Sequence, residues 1–278
     1  MQSYKQKRFY TFRADANALG GFLTKPVEKN IPTLAPVSLP AVGGVATARS
    51  EAFNLEEIVS CTSAYSRVSG REHANGSISI LVASVVEGLN ILEVVRAERI
   101  VAQVSILIPA DNGPLKFSLA GSGFEGLRLA GRDAGPTMRP ELFQPHSGQN
   151  SHEPSHTWES IYDDAQAQAQ KVIGYFSKRG QDAAEWAKSR HGWMNKSRAE
   201  QGPHGTALGS AVEGFEEGDP DEDGHIVEIP GFGRIFLGEL LVSRSSVQLV
   251  ALRAELGCAN TGGVSVATSG GGGVGDQS

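Results

Sequence analysis

From Ser77 to Pro109 the chain alternates apolar and polar residues with a period of two. SISILVASVV is rich in β-branched residues and leads into Glu87-Gly88. LNILEVVRAERIVAQVSILIP follows, with Ile100, Ala102, Val104, Ile106 and Ile108 on one parity. Alternate side chains leave opposite faces of a strand, and branched Cβ atoms pack well on a pleated surface, so this stretch predicts strands and not helix. The same pattern returns at 225–256, where HIVEIP, RIFLGELLV and SVQLVALRAEL read as three short strands and Val250, Leu252, Ala254 and Leu256 share a parity. At the start, RFYTFRADANALGGFL alternates as a first strand that ends at Gly20-Gly21. Pro26, Pro32, Pro36 and Pro40 then forbid a helix and suit an extended segment at a sheet edge. Residues 45–75 show no sustained period, and only Tyr65–Val68 reads as a short strand. Asn112-Gly113-Pro114 is a turn, and LKFSLAGSGFEGLRLAG after it is a strand pair.

The period changes once. Trp158, Ile161, Ala165, Ala169, Val172, Ile173 and Phe176 fall three and four apart, which predicts an amphipathic helix over 158–177 capped by Thr157. Gly180 interrupts it, and DAAEWAKSRHGW predicts a second helix. The helices sit in polar surroundings, 132–156 with four prolines and 199–224 with an acidic run. The organisation expected is therefore mainly β. A sandwich or barrel is built from 8–131 plus 225–268, interrupted by a polar, partly helical insertion at 132–224. The Gly/Ser-rich end, 269–278, reads as a flexible tail. One short echo stands out: Val86-Glu87-Gly88-Leu89-Asn90-Ile91 resembles Phe124-Glu125-Gly126-Leu127-Arg128-Leu129, and each Gly reads as a bulge or bend entering a strand.

Charge alters this picture locally. The 278 residues carry a formal −6, but residues 213–228 hold eight acids and no Lys or Arg, so the rest of the chain nets +2. No basic stripe with interleaved aromatics offers itself to nucleic acid. Lys5, Lys7, Arg8 and Arg13 read as a solvated end. No apolar run approaches the ~18 residues that span a bilayer, and Met1–Phe22 has no apolar core of a secretory leader. The default compartment is therefore cytoplasmic. Cys61 and Cys258 lack CxxC spacing, which disfavours a thiol redox or Cys-rich zinc site; a disulfide and two reduced thiols both stay open.

Two segments have metal-binding spacing. Asp219-Pro220-Asp221-Glu222-Asp223-Gly224 is D-x-D-x-D-G, whose alternate carboxylates suit calcium, with Glu228 as a further oxygen donor. Ile226 fits the apolar eighth place of such a loop, but Pro230 stands where a bidentate Glu belongs. His152-Glu153-Pro154-Ser155-His156 matches H-E-x-x-H, in which two His four apart hold zinc and Glu153 activates a bound water. Pro154 inside the required helix and the polar lead-in from Gly148 count against it, and Glu185 becomes a third ligand only by assumption. His146 adds a nearby imidazole. Trp158, Trp186 and Trp193 offer either a carbohydrate platform or packing against the β domain. No G-x-S-x-G elbow, phosphate loop or dinucleotide fingerprint occurs.

In segments 80–108, 117–131 and 231–256 the chain resembles the secreted β domains called choice-of-anchor P. The carriers are EGLNI…AERIVAQVSI, the S-x-F-x-G-L-x-L-x-G of Ser122–Gly131, and RIFLGELLVSRSSVQLVALRAEL, with Gly238-Glu239 where that family has Asn-Glu. The resemblance covers about a third of the chain and implies a bacterial surface β domain without known catalysis. It assigns no functional residues. The function expected is a non-catalytic β domain that binds a protein partner or self-assembles, with calcium as a stabilising ion; the alternative is a zinc-dependent hydrolase using the 152–156 segment.

Overall fold

The alternating segments form two large antiparallel sheets. The computed structural model describes residues 9–26, 28–111, 115–139, 158–196, 205–215 and 224–276. In chain order the first strands are β1 (Phe9–Lys25), β2 (Lys29–Leu34), β3 (Val37–Ser38), β4 (Gly44–Ser50), β5 (Phe53–Leu55), β6 (Val59–Cys61) and β7 (Ser63–Glu72). Next come β8 (Ile78–Ile91), β9 (Val95–Ile108), β10 (Lys116–Ser118), β11 (Gly123–Glu125), β12 (Arg128–Leu129), β13 (Arg132–Asp133) and β14 (Pro136–Met138). Helices α1 (Trp158–Phe176) and α2 (Gln181–His191) precede β15 (Thr206–Ser210), β16 (Val212–Phe215), β17 (Ile226–Ile229), β18 (Gly233–Ser243), β19 (Ser246–Gly257) and β20 (Thr261–Asp276).

Sheet A runs β15-β18-β19-β20-β1-β2, with β17 on the same edge of β18 as β15 and β3 beside β1. Sheet B centres on β8 and β9. Strand β7 and then β4 extend it on one side, and β10, β11 and β12 line up along the other edge of β9. The inner faces pack as a β sandwich and share one core, into which Val82, Ile100 and Ile106 of sheet B and Leu237, Leu252 and Val266 of sheet A are buried. A buried hydroxyl chain fixes the two sheets against each other. Ser84 Oγ lies 3.0 Å from Ser269 Oγ, which donates to the Ala102 carbonyl at 2.9 Å.

A crease crosses each sheet. In β8 the inward residues are Ile80, Val82, Ser84 and Val86, then Leu89 and Ile91; in β9 they are Val95 and Ala97, then Ile100, Ala102, Val104 and Ile106. Parity flips at Gly88, which lies at φ 60° beside Thr62, and Gly126 takes φ 59° against Glu98. The two Glu-Gly echoes thus carry the bends that the sequence pattern predicts. In sheet A, Gly238 (φ 61°) and Ala267 (φ 51°) mark the corresponding line.

The helices form a third layer on the outer face of sheet A. Val172, Phe176 and Ala187 meet Ile226 and Phe236 there, so β18 is buried on both sides. Complete burial of Phe176 alone stabilises by roughly 2–3 kcal/mol. Tyr162 in α1 donates to the carbonyls of Met194 and Lys196, which holds the 3-10 turn Gly192–Asn195 in place.

Three expectations are corrected. Strand β1 does not end at Gly20-Gly21 but continues to Lys25, because Gly21 lets the Gly263 carbonyl approach to where a Cβ would stand. The insertion does not close at 224, since β15 already belongs to sheet A. The end of the chain is no loose tail either: β20 runs to Asp276 between β1 and β19. Glycine serves close packing here. A Cβ at Gly271 would meet Ile106 at 3.0 Å and one at Gly272 would meet the Ser245 carbonyl at 2.1 Å. The proline-rich segment takes the expected place, with Pro32 exposed on edge strand β2.

Candidate functional site

Helices cover the outer face of sheet A over β18, but the outer face of sheet B carries an open groove. Alternation along β7 turns Ala64, Ser66, Val68 and Gly70 inward and Tyr65, Arg67, Ser69 and Arg71 outward. Gly70 is required inside, because a Cβ there would lie 2.5 Å from Leu39 and 2.6 Å from Phe12. Register then sets the outward residues in rows. Arg71, Ser79, Leu107 and Lys116 make one row, Val45, Ser69, Leu81, Ser105 and Ser118 the next, and Arg67, Ala83 and Gln103 a third.

The groove has a volume of about 980 Å³. Arg67, Arg71 and Lys116 are the cations that line it among the described residues, and Glu72 is the one carboxylate. Strand spacing puts Arg71 and Lys116 roughly 14 Å apart, and four residues along β7 put Arg67 about 13 Å from Arg71. Serine hydroxyls fill the field between them, with Leu107 (40% exposed) and Val45 (62%) as apolar contacts. His73 is held at the rim. Arg71 Nη2 donates to its Nδ1 at 3.3 Å, which leaves the Nε2 proton for Ser79 Oγ at 2.9 Å. The arrangement suits an extended ligand with several negative charges, because separated cations match separated anions while hydroxyls satisfy polar groups between them.

A second cluster lies under α2. Glu239 on β18 takes Arg253 Nε at 2.6 Å and Arg253 Nη2 at 3.3 Å, and also pairs with Arg190 of α2. Phe236 is flanked by two guanidiniums, Arg253 at 3.9 Å and Arg190 at 4.5 Å from its ring centre, and Arg234 stacks on Trp186 at 4.1 Å. Burial alone would raise the Glu239 pKa; the hydrogen bonds and charge of Arg253, with those of Arg190, outweigh it and hold the carboxyl below its usual range. Burial lowers the His191 pKa to about 4, helped by Arg190. The His225 pKa also falls to about 4 through burial, which Glu239 opposes. A carboxylate locked between two guanidiniums is a fastener, and this cluster pins the helical layer to sheet A.

The residues singled out by sequence fall elsewhere. His152, Glu153, His156 and His146 lie outside the described residues, as do Asp219, Asp221 and Asp223. Glu228 sits on β17 and accepts from Arg234 Nε at 2.7 Å, with Arg179 at 3.8 Å, so a calcium ion there would compete with Arg234. Glu185 is exposed on α2 and accepts from Gln181. Among the described residues no group of three His, Cys, Asp or Glu is placed to hold a metal ion. Cys61 and Cys258 are both free; burial raises the Cys61 thiol pKa. Trp186 packs between Phe176 and Phe236, and Trp193 donates to the Arg190 carbonyl, so these two serve packing and form no exposed platform. The groove residues were missed by sequence reasoning. Their signal was the small-against-large alternation of Ala64-Tyr65-Ser66-Arg67-Val68-Ser69-Gly70-Arg71, which places every cation of that segment on one face.

These features define a class: an antiparallel β sandwich with one helix-covered sheet and one sheet bearing an open basic groove. The chain belongs to the family described as Domain of unknown function (DUF8256), whose profile matches residues 10–243. The match begins in β1 and ends with β18. No curated protein and no solved structure matches the chain.

Proposed function

We propose that this chain is a non-catalytic β-sandwich domain that docks an acidic segment of a protein partner on the open face of sheet B. One observation carries the reading. A chain with a formal −6 places three cations and one carboxylate around an open groove of about 980 Å³, on a sheet face that no helix covers among the described residues. Burying outward Val45 and Leu107 against a partner adds apolar contact to the charge pairing, the mix of anchor and polar rim that stable interfaces use. No cofactor is needed. The resemblance to choice-of-anchor P domains points the same way, towards display or docking at a bacterial surface.

The test is a titration with a fluorescent decaglutamate peptide at low salt. Binding is expected, and the doubly reversed Arg67→Glu/Arg71→Glu variant weakens it at least tenfold, as does raising the salt. Decaglutamate binding that ignores both changes, or equal binding of decalysine, overturns the reading.

A further inference from the structure

We infer that the acidic segment taken by the groove belongs to a second copy of this chain, its residues 216–223, which join β16 to the approach of β17. The inference rests on the docking reading above. Its first support is complementarity. Six of the eight residues 216–223 are acidic, without a single Lys or Arg, while Arg67, Arg71 and Lys116 gather on one open face of the same chain. The same molecule carries both halves of an electrostatic interface.

Its second support is reach. A Cβ on Gly224 would stand 2.5 Å from the Glu213 carbonyl, so the segment leaves and returns at one point, beside α1. The eight residues 216–223, out and back, span at most about 14 Å. Helix α1 borders the end of sheet B where Leu129 pairs with Val95. The groove lies at the other end of β9, where Leu107 pairs with Lys116. At ~3.3 Å per residue these ends are about 40 Å apart. A chain cannot fill its own groove with this segment, but two copies can fill each other's. Reciprocal exchange would close a two-fold pair, the commonest symmetric assembly.

Sedimentation velocity on the full chain tests this at about 0.2 mM and about 50 mM NaCl. The wild type is expected to sediment as an assembly that dissociates at least tenfold more readily in high salt. Two charge-reversed variants are expected to be folded monomers alone: Arg67→Glu/Arg71→Glu/Lys116→Glu, and Asp219→Lys/Asp221→Lys/Asp223→Lys. Mixed in equal amounts they assemble again, because the reversed groove now matches the reversed segment. A mixture that stays monomeric, or either variant assembling alone like the wild type, overturns the inference. A monomeric wild type that still binds decaglutamate overturns it too and leaves the docking reading standing. A monomeric wild type that binds no acidic peptide removes both.

Discussion

At the scale of single residues the molecule spends its strongest polar interactions on holding layers together. Glu239 is the centre of this, with Arg253 and Arg190 converging on one carboxylate. Removing the negative charge leaves two guanidiniums facing each other in a poorly hydrated place, and breaking such a pair is costly even where the intact pair adds little. Glu239→Gln is therefore expected to cost about 3 kcal/mol and to lower Tm by roughly 5–10 °C, read by thermal unfolding. His191 gives the cluster an acid limit. Its pKa of about 4 lies below the ordinary 6.5, so the unfolded chain takes up the proton first. Stability is then full above about pH 6.5 and falls as pH drops towards 4, by about 3 kcal/mol for this residue. Urea unfolding at pH 7.5, 5.5 and 4.5 should show that decline; His191→Gln should remove its share, while His225, also near 4, keeps the rest. None of this was legible in the sequence. Glu239 and Arg253 meet across the β18–β19 pairing, but Arg190 comes from 49 residues before Glu239, and only the docking of α2 on β18 brings it in.

At the scale of elements, pattern was a good guide to strands and a poor guide to glycine. The longest alternations became β8, β9, β18 and β19, and the three- and four-residue spacing became α1. Residues 45–75 resisted because outward Arg67 and Arg71 alternate with small inward residues, so burial contrast is weak along β7 although its pairing is continuous. Glycine misled in both directions, since β1 passes through Gly20-Gly21 and β20 contains four glycines in a row. The crease glycines follow a different rule, backbone conformation. Gly88 takes a left-handed φ of 60°, and a Cβ there would lie 2.5 Å from Thr62, whereas Gly123 has open space and no such φ. Gly88→Ala is expected to cost about 2 kcal/mol and Gly123→Ala to stay within ~1 kcal/mol of wild type, measured by urea unfolding. The same logic touches Gly238 in sheet A. Position 238 adopts φ 61°, a region open to Gly and, next best, to Asn.

At the scale of the whole molecule the sandwich is asymmetric: among the described residues one sheet is roofed by helices and the other carries none. That asymmetry could not be read from composition, which does not say which outward face the helices will cover. The two alternating regions are joined in one core, but Ile161 and Ala165 of α1 and Ala207, Ala211 and Val212 from β15 through β16 belong to it as well. The end of the chain is the firmest part of that join. Deleting residues 261–278 is expected to abolish cooperative unfolding, followed by circular dichroism, because β20 is the strand that links β1 to β19; a disposable tail would leave the melt unchanged.

The same join puts a delay into biosynthesis. Thr24 and Thr261 share a hydrogen bond across 237 residues. At the usual ribosomal speed of about 5–20 residues per second, β1 waits roughly 10–50 s for its central neighbour to be translated. Throughout that interval its inward alanines and leucines face only what sheet B and the short β2 offer, so the nascent chain is most open to chaperones, or to a neighbouring polysome's product, before its last glycines emerge.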